Sequence, residues 1–422
     1  VIFLTRSFGS CGRVPCTTEV VAAGGSGRRS MLPHLSIDSH RKPSCLLELP
    51  PQHPTSSTGS SFARMTRLAS IIRPWLLVYT MVSQQHSHCH AERVPDDVPE
   101  RRVGEIEQSI GFYQAIELVE NSLLYKKQSE YQSIEVHQTK HFGKLLLLDG
   151  VIQLTERDAD SYNEMMAHVP LFQHPNPKRV LVIGGGDGYV LNEVLKHSTV
   201  EVVDHVDLDE DVISTCQIHF PQWGHCWKDP RARLHISDGA KFVRDAPDNY
   251  YDVIIQDSSD PWVVEDDGTI TPLPSGVLYE EDHICQLHRV LSPNGILNLQ
   301  GESFNVPSNI EGIASWRKTM EECGFKRSRY GSIMTVSYTT GHIGMLLGEK
   351  DPSSSSKEDV IMARYQAMVK NGERTTYYHP GLQKGAFDLP LWAHEAIYGE
   401  EDTSDLLCHA PPTSAETMTK SA

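Results

Sequence analysis

The stretch Arg179-Val180-Leu181-Val182-Ile183-Gly184-Gly185-Gly186-Asp187-Gly188 decides the fold of this chain. The apolar run from Val180 to Ile183 has the length of a buried strand. Glycines follow at once, and a helical pattern over residues 190–197 comes next. A strand that turns through glycine into a helix opens a doubly wound α/β sheet, and the turn leaves free N–H groups facing a ligand. Such a turn is a weak signal alone, because any tight strand-to-helix connection favours glycine.

Downstream the pattern repeats. Strands expected at 200–207, 233–236, 251–256 and 295–300 alternate with helices at 211–219, 240–245 and 280–291. Alternation of this kind predicts a Rossmann-like, mostly parallel sheet. Two more strands are expected near 325–337 and 343–347. Upstream, residues 131–139, 144–148 and 151–155 read as hairpin strands, with turns at Gly143 and Asp149-Gly150. A helix is expected over 161–171, leaving before Pro175 and Pro177. These signals divide the chain into an extension (1–95), a small antiparallel β domain (111–158), an α/β catalytic domain (159–398) and a loose Ser/Thr-rich tail (399–422).

Of the 422 residues, 39% are hydrophobic and 22% charged, as in an ordinary globular protein. The formal net charge of −17 is unevenly placed. Residues 1–90 hold nine Lys/Arg against three Asp/Glu, so the remainder is more acidic than the whole. An acidic body disfavours nucleic acid as a partner and is compatible with cationic ligands. Nine cysteines show no CxxC pair and no metal-ligand spacing, so free thiols in a reducing, cytoplasmic setting are expected. Within the extension, Arg67 and Arg73 precede the apolar run 75–82, and polar residues continue to 91. That layout suits a signal or transit peptide, and the run is about half the length of a membrane span. No membrane span is expected in the body.

Three further turns follow strands in the α/β half. The second strand ends in Asp207-Leu208-Asp209-Glu210, with Asp207 23 residues beyond Gly184. In doubly wound folds an acid at about this spacing accepts from ribose hydroxyls. Asp187 stands where the phosphates of a dinucleotide would lie; a carboxylate repels phosphate and welcomes an amine. This residue favours a sulfonium nucleoside over a dinucleotide. Asp238-Gly239 follows the third strand, where a short acid can accept from an adenine amino group. After the fourth comes Asp257-Ser258-Ser259-Asp260-Pro261, two carboxylates three residues apart at the ligand-binding end of a strand. One can take a proton while the other anchors an ammonium group.

With these motifs the chain resembles the spermidine synthase family of polyamine aminopropyltransferases, whose core is class I methyltransferase-like. The resemblance spans roughly 111–398. It rests on Tyr131-Gln132, Leu148-Asp149-Gly150-Val151-Ile152-Gln153, Thr155-Glu156-Arg157-Asp158, Ser161-Tyr162, the 184–188 and 257–261 runs, Gln300-Gly301-Glu302, Tyr338 with Gly341, Tyr377-Tyr378, and Ala386-Phe387-Asp388-Leu389-Pro390. The resemblance implies transfer of an aminopropyl group from decarboxylated S-adenosylmethionine to a diamine such as putrescine. Asp257 would accept the proton of the attacking amine, since a free alkylammonium has a pKa near 10. Asp187 would bind the donor's amine. Gln132, Asp207 and Asp238 would hold the nucleoside, with Gly184, Gly186 and Gly239 lining the donor site. Gln153, Tyr162, Asp260, Gln300 and Tyr338 would line the acceptor site. The resemblance implies no cofactor and no metal, and a homodimer formed partly through the β domain.

Several positions depart from the family pattern. Tyr189 stands where another glycine is usual and is expected to add bulk beside the donor. Asn163, Asn192 and the short ribose acid Asp207 also differ. Residues 262–277 lengthen the segment that covers the site and add the acidic run Glu265-Asp266-Asp267. His283-Ile284 replaces an aromatic pair, and the segment around Tyr338 lacks its usual prolines. The altered cover leaves open another acceptor, such as spermidine or cadaverine. Amine N-methylation and a retired homologue that only binds nucleoside or polyamine are the competing functions. Asp187 speaks against the first, because it would face the carboxylate of S-adenosylmethionine; the retained Asp257 and Asp260 speak against the second.

Overall fold

Five strands form the first sheet in simple up-and-down order: β1 (Arg102–Glu107), β2 (Phe112–Gln128), β3 (Ser133–Thr139), β4 (Lys144–Leu148) and β5 (Val151–Thr155). The computed structural model describes residues 102–107, 110–259, 261–264 and 270–399. The targeting-like segment 65–91, Asp260, the acidic run 265–267 and all but the first residue of the 399–422 tail fall outside these. Asp149 and Gly150 both take positive φ, at +50° and +83°. A two-residue turn of that hand matches the twist of β4 and β5, which is why Asp-Gly reads so clearly. The sheet also takes in β1, ahead of the expected start at 111. Its short sequence carries little alternation and is ordered by antiparallel pairing along β2.

Helix α1 (Ala159–Gln173) leads into the second sheet. Its parts are β6 (Arg179–Gly184), α2 (Tyr189–Leu195), β7 (Val202–Asp207), α3 (Glu210–His219), β8 (Ala232–Ile236), α4 (Gly239–Asp245), β9 (Tyr251–Asp257), a small hairpin of β10 (Trp262–Val264) and β11 (Ile270–Pro272), α5 (Glu281–Val290), β12 (Leu291–Gly301), α6 (Pro307–Glu322), β13 (Arg327–Met334) and β14 (His342–Glu349). Three helices close the described chain: α7 (Glu358–Lys370), α8 (Pro380–Gly385) and α9 (Leu391–Tyr398). The strand order is β13-β14-β12-β9-β6-β7-β8, parallel except that β14 runs antiparallel to both neighbours. The order reverses between β6 and β9, the place where open α/β sheets bind ligands.

Both faces of this sheet are covered, so its central strands are apolar on both sides. Val180 and Val182 of β6 pack with α1, α2 and α7, while Leu181 and Ile183 pack with α4, α5 and α6. β9 splits the same way, with Val253 and Ile255 on one face and Ile254 on the other. A third cluster joins the two sheets: Ile134, Val136, Leu146 and Leu154 of the first meet Val212, Cys216, Phe220 and Trp223 of the second. The first sheet is thereby fixed against the ligand-binding end of the second.

The cysteine expectation needs a correction. Cys285 of α5 and Cys323 at the end of α6 form a disulfide, 38 residues apart in sequence with Cα atoms 4.8 Å apart. Packing of the two helices brings them together, which no spacing rule registers. Cys216 and Cys226 are free and buried, as expected. Among the described residues no helix is long and apolar enough to cross a membrane.

Candidate active site

Gly184, the last residue of β6, lies in register with Asp257, the last of β9. Across β6 the register continues from Ile183 to Val206 of β7, and from Asp207 to Ile236 of β8. The four acid-bearing turns therefore open side by side at one end of the sheet. Gly184 has φ +75°, and a Cβ there would stand 2.1 Å from the Asp257 carbonyl oxygen. A Cβ at Gly186 would come within 2.8 Å of Asp207 Oδ2. Only glycine lets the loop pass between these two acids.

Three carboxylates share the cleft. Asp187 Oδ1 accepts the Tyr189 N–H at 2.7 Å. Asp207 Oδ1 accepts the Asp209 N–H at 2.8 Å. Asp257 Oδ1 accepts the Tyr162 hydroxyl at 2.7 Å. Each keeps partial contact with the cleft, yet surrounding protein strips away most of its water. Among the described residues none of the three has a cationic partner. Desolvation, aided by the Asp257 charge, raises Asp187 to about 8. Desolvation raises Asp207 to about 7. Asp257 is raised by burial to about 6, with the Tyr162 hydroxyl opposing the rise. Three crowded acids without a counter-charge form a receptor for a cation.

The supporting residues explain how the turns hold their shape. Tyr162 also lies 3.3 Å from Gln300 Oε1 and stays protonated, since burial and the Asp257 charge raise its pKa. Gln256, next to Asp257, donates to the Leu278 carbonyl and accepts from His283 Nε2, at 3.0 Å each. Burial keeps His283 neutral, lowering it to about 4. His283 is thus a polar strut at a position where the family pattern has an aromatic. Trp227 Nε1 donates to His205 Nδ1 at 2.9 Å, and His205 Nε2 donates to the Gly184 carbonyl at 2.8 Å. That chain fixes one neutral tautomer of His205 and braces the glycine turn from beneath.

The expected residues fall into groups. Asp187, Asp207, Asp257, Tyr162 and Gln300 come together. Asp238 is exposed at the end of β8, where it caps α4 by accepting the Lys241 N–H at 2.8 Å. Gly239 begins α4, with a Cβ there 2.7 Å from Ile183. Gln132 reaches over from the first sheet: its Nε2 donates to Asp209 Oδ2 at 3.0 Å, which also accepts from Ser129 Oγ at 2.7 Å. Tyr338 donates to Glu302 Oε2 at 3.0 Å. Gln153 is exposed on β5, and its described hydrogen bond returns to Val151 O of its own strand. The expected bulk of Tyr189 beside the donor is corrected. Its ring is buried, stacks on Trp223 at 4.5 Å between centroids, and donates its hydroxyl to Asp160.

Sequence reasoning missed His205 and Trp227, and gave no role to Asp209 and Glu302 although both stand in the motifs quoted above. A histidine inside the buried strand β7 was the available signal for His205, since a buried polar group needs a partner. Among the described residues no group of three His, Cys, Asp or Glu could hold a metal ion. A cavity of about 610 Å³ elsewhere, lined by Arg327, Arg329, Lys357 and Lys384, includes none of the expected site residues.

The sheet order defines a protein of the class I methyltransferase-like fold, and the row of acidic turns marks the ligand-binding end of its sheet. Comparison with known proteins is more specific. Residues 159–358 match the spermine/spermidine synthase domain, and residues 106–156 match the spermidine synthase tetramerisation domain. Spermidine synthase of Solanum lycopersicum is 37% identical over 279 residues, 65% of this chain and 77% of that one. Spermine synthase of Saccharomyces cerevisiae is 35% identical over 291 residues, covering 67% and 91%. A crystal structure of spermidine synthase in complex with the transition state analogue AdoDATO superposes with a TM-score of 0.62 at 29% identity, over 73% of this chain and 98% of that one. The chain belongs to the spermine/spermidine synthase family and is an aminopropyltransferase of polyamine biosynthesis.

Proposed function

We propose that Asp257 is the proton acceptor in transfer of an aminopropyl group from decarboxylated S-adenosylmethionine to putrescine. The observation that carries this assignment is the Asp257 carboxylate itself. It ends β9 beside the glycine turn, one oxygen is held by Tyr162, and its pKa is near 6. At neutral pH it is mostly ionised and able to take a proton. The amine lone pair attacks the carbon next to sulfur, the C–S bond breaks, and the electron pair leaves on a neutral thioether. The proton lost by nitrogen passes to Asp257. A sulfonium is already an activated leaving group, so the reaction as drawn calls for no cofactor or metal.

Asp187 receives the donor's ammonium group. A cation beside it draws the carboxyl back to its ionised form, so donor binding releases a proton where the empty site holds one. Asp207, Asp238 and Gln132 hold the nucleoside, with Gly184, Gly186 and Gly239 giving the backbone close approach. Tyr162, Gln300, Tyr338, Gln153 and Asp260 line the acceptor side. Both spermidine and spermine synthases are among the relatives, so spermidine is the second acceptor to test. The match of 106–156 to a tetramerisation domain supports self-association through the first sheet, with a homodimer as our specific reading.

Mass spectrometry of products formed from decarboxylated S-adenosylmethionine with putrescine, spermidine and cadaverine tests the assignment. Spermidine is the expected main product. Methylated amines from S-adenosylmethionine, or no product from any amine, would sink it.

A further inference from the structure

Tyr338 sits on a segment, 335–341, that joins β13 to β14 without the usual prolines. Apolar packing holds only part of this segment: Tyr338 packs against the main core cluster, whereas Val336 is 56% exposed. Its backbone is also unfavourable in isolation. Thr340 has φ +70°, and a β-branched residue rarely enters the left-handed region unless its surroundings enforce it.

The turn is closed by its own backbone bonds, from the Gly341 N–H to the Tyr338 carbonyl at 2.7 Å and from the Thr335 N–H to the Gly341 carbonyl at 3.1 Å. Hydrogen bonds from outside the segment tie it to its surroundings. Thr339 Oγ1 donates to Glu105 Oε2 of β1 at 2.5 Å, and Glu105 Oε1 accepts the Ile152 N–H of β5 at 2.6 Å. Asp158, just before α1, accepts the Ser337 N–H at 2.6 Å and its hydroxyl at 3.0 Å. Gln114 of β2 donates to the Val336 carbonyl at 2.6 Å. Ser303 Oγ lies 3.0 Å from the hydroxyl of Thr340 itself. Tyr338 is thus flanked on both sides by residues tied to the first sheet or to its exit. Glu105 is a half-buried acid whose desolvation raises its pKa, and both its oxygens are occupied by these two bonds.

We propose that Glu105 and Asp158 are positioning residues for the acceptor amine: by holding Thr339 and Ser337 they set Tyr338, so the N-terminal sheet shapes the acceptor pocket. The proposal rests on the reading of Tyr338 as an acceptor-lining residue. It gives β1 a role in substrate choice that is separate from any role in association.

Steady-state kinetics with purified full chain, varying putrescine and decarboxylated S-adenosylmethionine in turn, tests it. Glu105→Ala is expected to raise the putrescine KM about tenfold or more, with kcat and the donor KM within about twofold. Glu105→Gln is expected to restore most of the loss, because its amide oxygen accepts the Ile152 N–H while its NH2 donates to Thr339. If Glu105→Ala fails to fold, Thr339→Val carries the test, since it removes the same bond and leaves Glu105 in place. Tyr338→Ala is measured beside them. If it raises the putrescine KM while Glu105→Ala or Thr339→Val does not, the positioning role is overturned and the acceptor reading survives. A putrescine KM unmoved by Tyr338→Ala overturns both. Equal rises in donor and acceptor KM would show general loosening and also overturn the proposal.

Discussion

On the donor side of the cleft, Asp187, Asp207 and Asp238 stand at the ends of adjacent parallel strands, so the sheet's own register places them. On the acceptor side, Tyr338 stands on a segment between antiparallel strands, held by side chains from another sheet. The first arrangement is local and repeats along the sheet. The second depends on contacts between residues more than 170 positions apart, such as Asp158 and Ser337. Under the proposed assignment, a donor site set by sheet register lies beside an acceptor pocket held separately, so the two can be perturbed independently.

Asp257 lies between the two sides and gives the largest expected effect. Asp257→Asn should lower kcat by about 10³-fold while leaving donor binding nearly intact, the size expected for loss of a general base. Unchanged turnover would remove Asp257 from the mechanism. In the native enzyme kcat/KM should rise with pH through about 6, as Asp257 loses its proton. Stability should run the other way. Asp187, Asp207 and Asp257 all have folded pKa values above the unfolded carboxylate range near 4. Their contribution is fully present below about pH 4 and is lost as pH rises through about 6 to 8. Melting curves across that window, with and without donor, would check the sign.

A smaller effect should separate the sides. Asp187→Asn should weaken decarboxylated S-adenosylmethionine about 10- to 100-fold, the loss of a hydrogen-bonded charge contact, and leave the putrescine KM nearly unchanged. Calorimetric titration with both S-adenosylmethionine forms should also show narrower discrimination between them. Equal weakening of donor and acceptor would break the division. The smallest expected change is Trp227→Phe, which frees His205 Nδ1. A rise of about three- to tenfold in donor KM, from roughly 1 kcal/mol, would show that the brace under Gly184 matters; no rise would make it a packing contact only.

Much of the donor side was legible in the sequence. Apolar strands followed by Gly or Asp repeat at the right intervals, and Asp187 stood out by its charge. The Asp149-Gly150 turn was legible for the same reason, because its backbone demands particular residues. The disulfide between Cys285 and Cys323, the inward burial of Tyr189 and the strut from His283 to Gln256 were not. Each depends on which helix face meets which neighbour, and no short-range pattern encodes that.

The stretch 179–188, together with the strand–helix alternation that follows it, determined a parallel sheet with its acid-bearing turns at the carboxyl ends, since strand length, glycine and charge act over a few residues. Only the tertiary structure decided how Tyr338 is held. The bonds from Glu105 and Asp158 exist because the first sheet docks on the second through Ile134, Leu146, Phe220 and Trp223. A carboxylate in isolation has no preference for one distant hydroxyl over another; burial beside Thr339 and Ser337 supplies the preference.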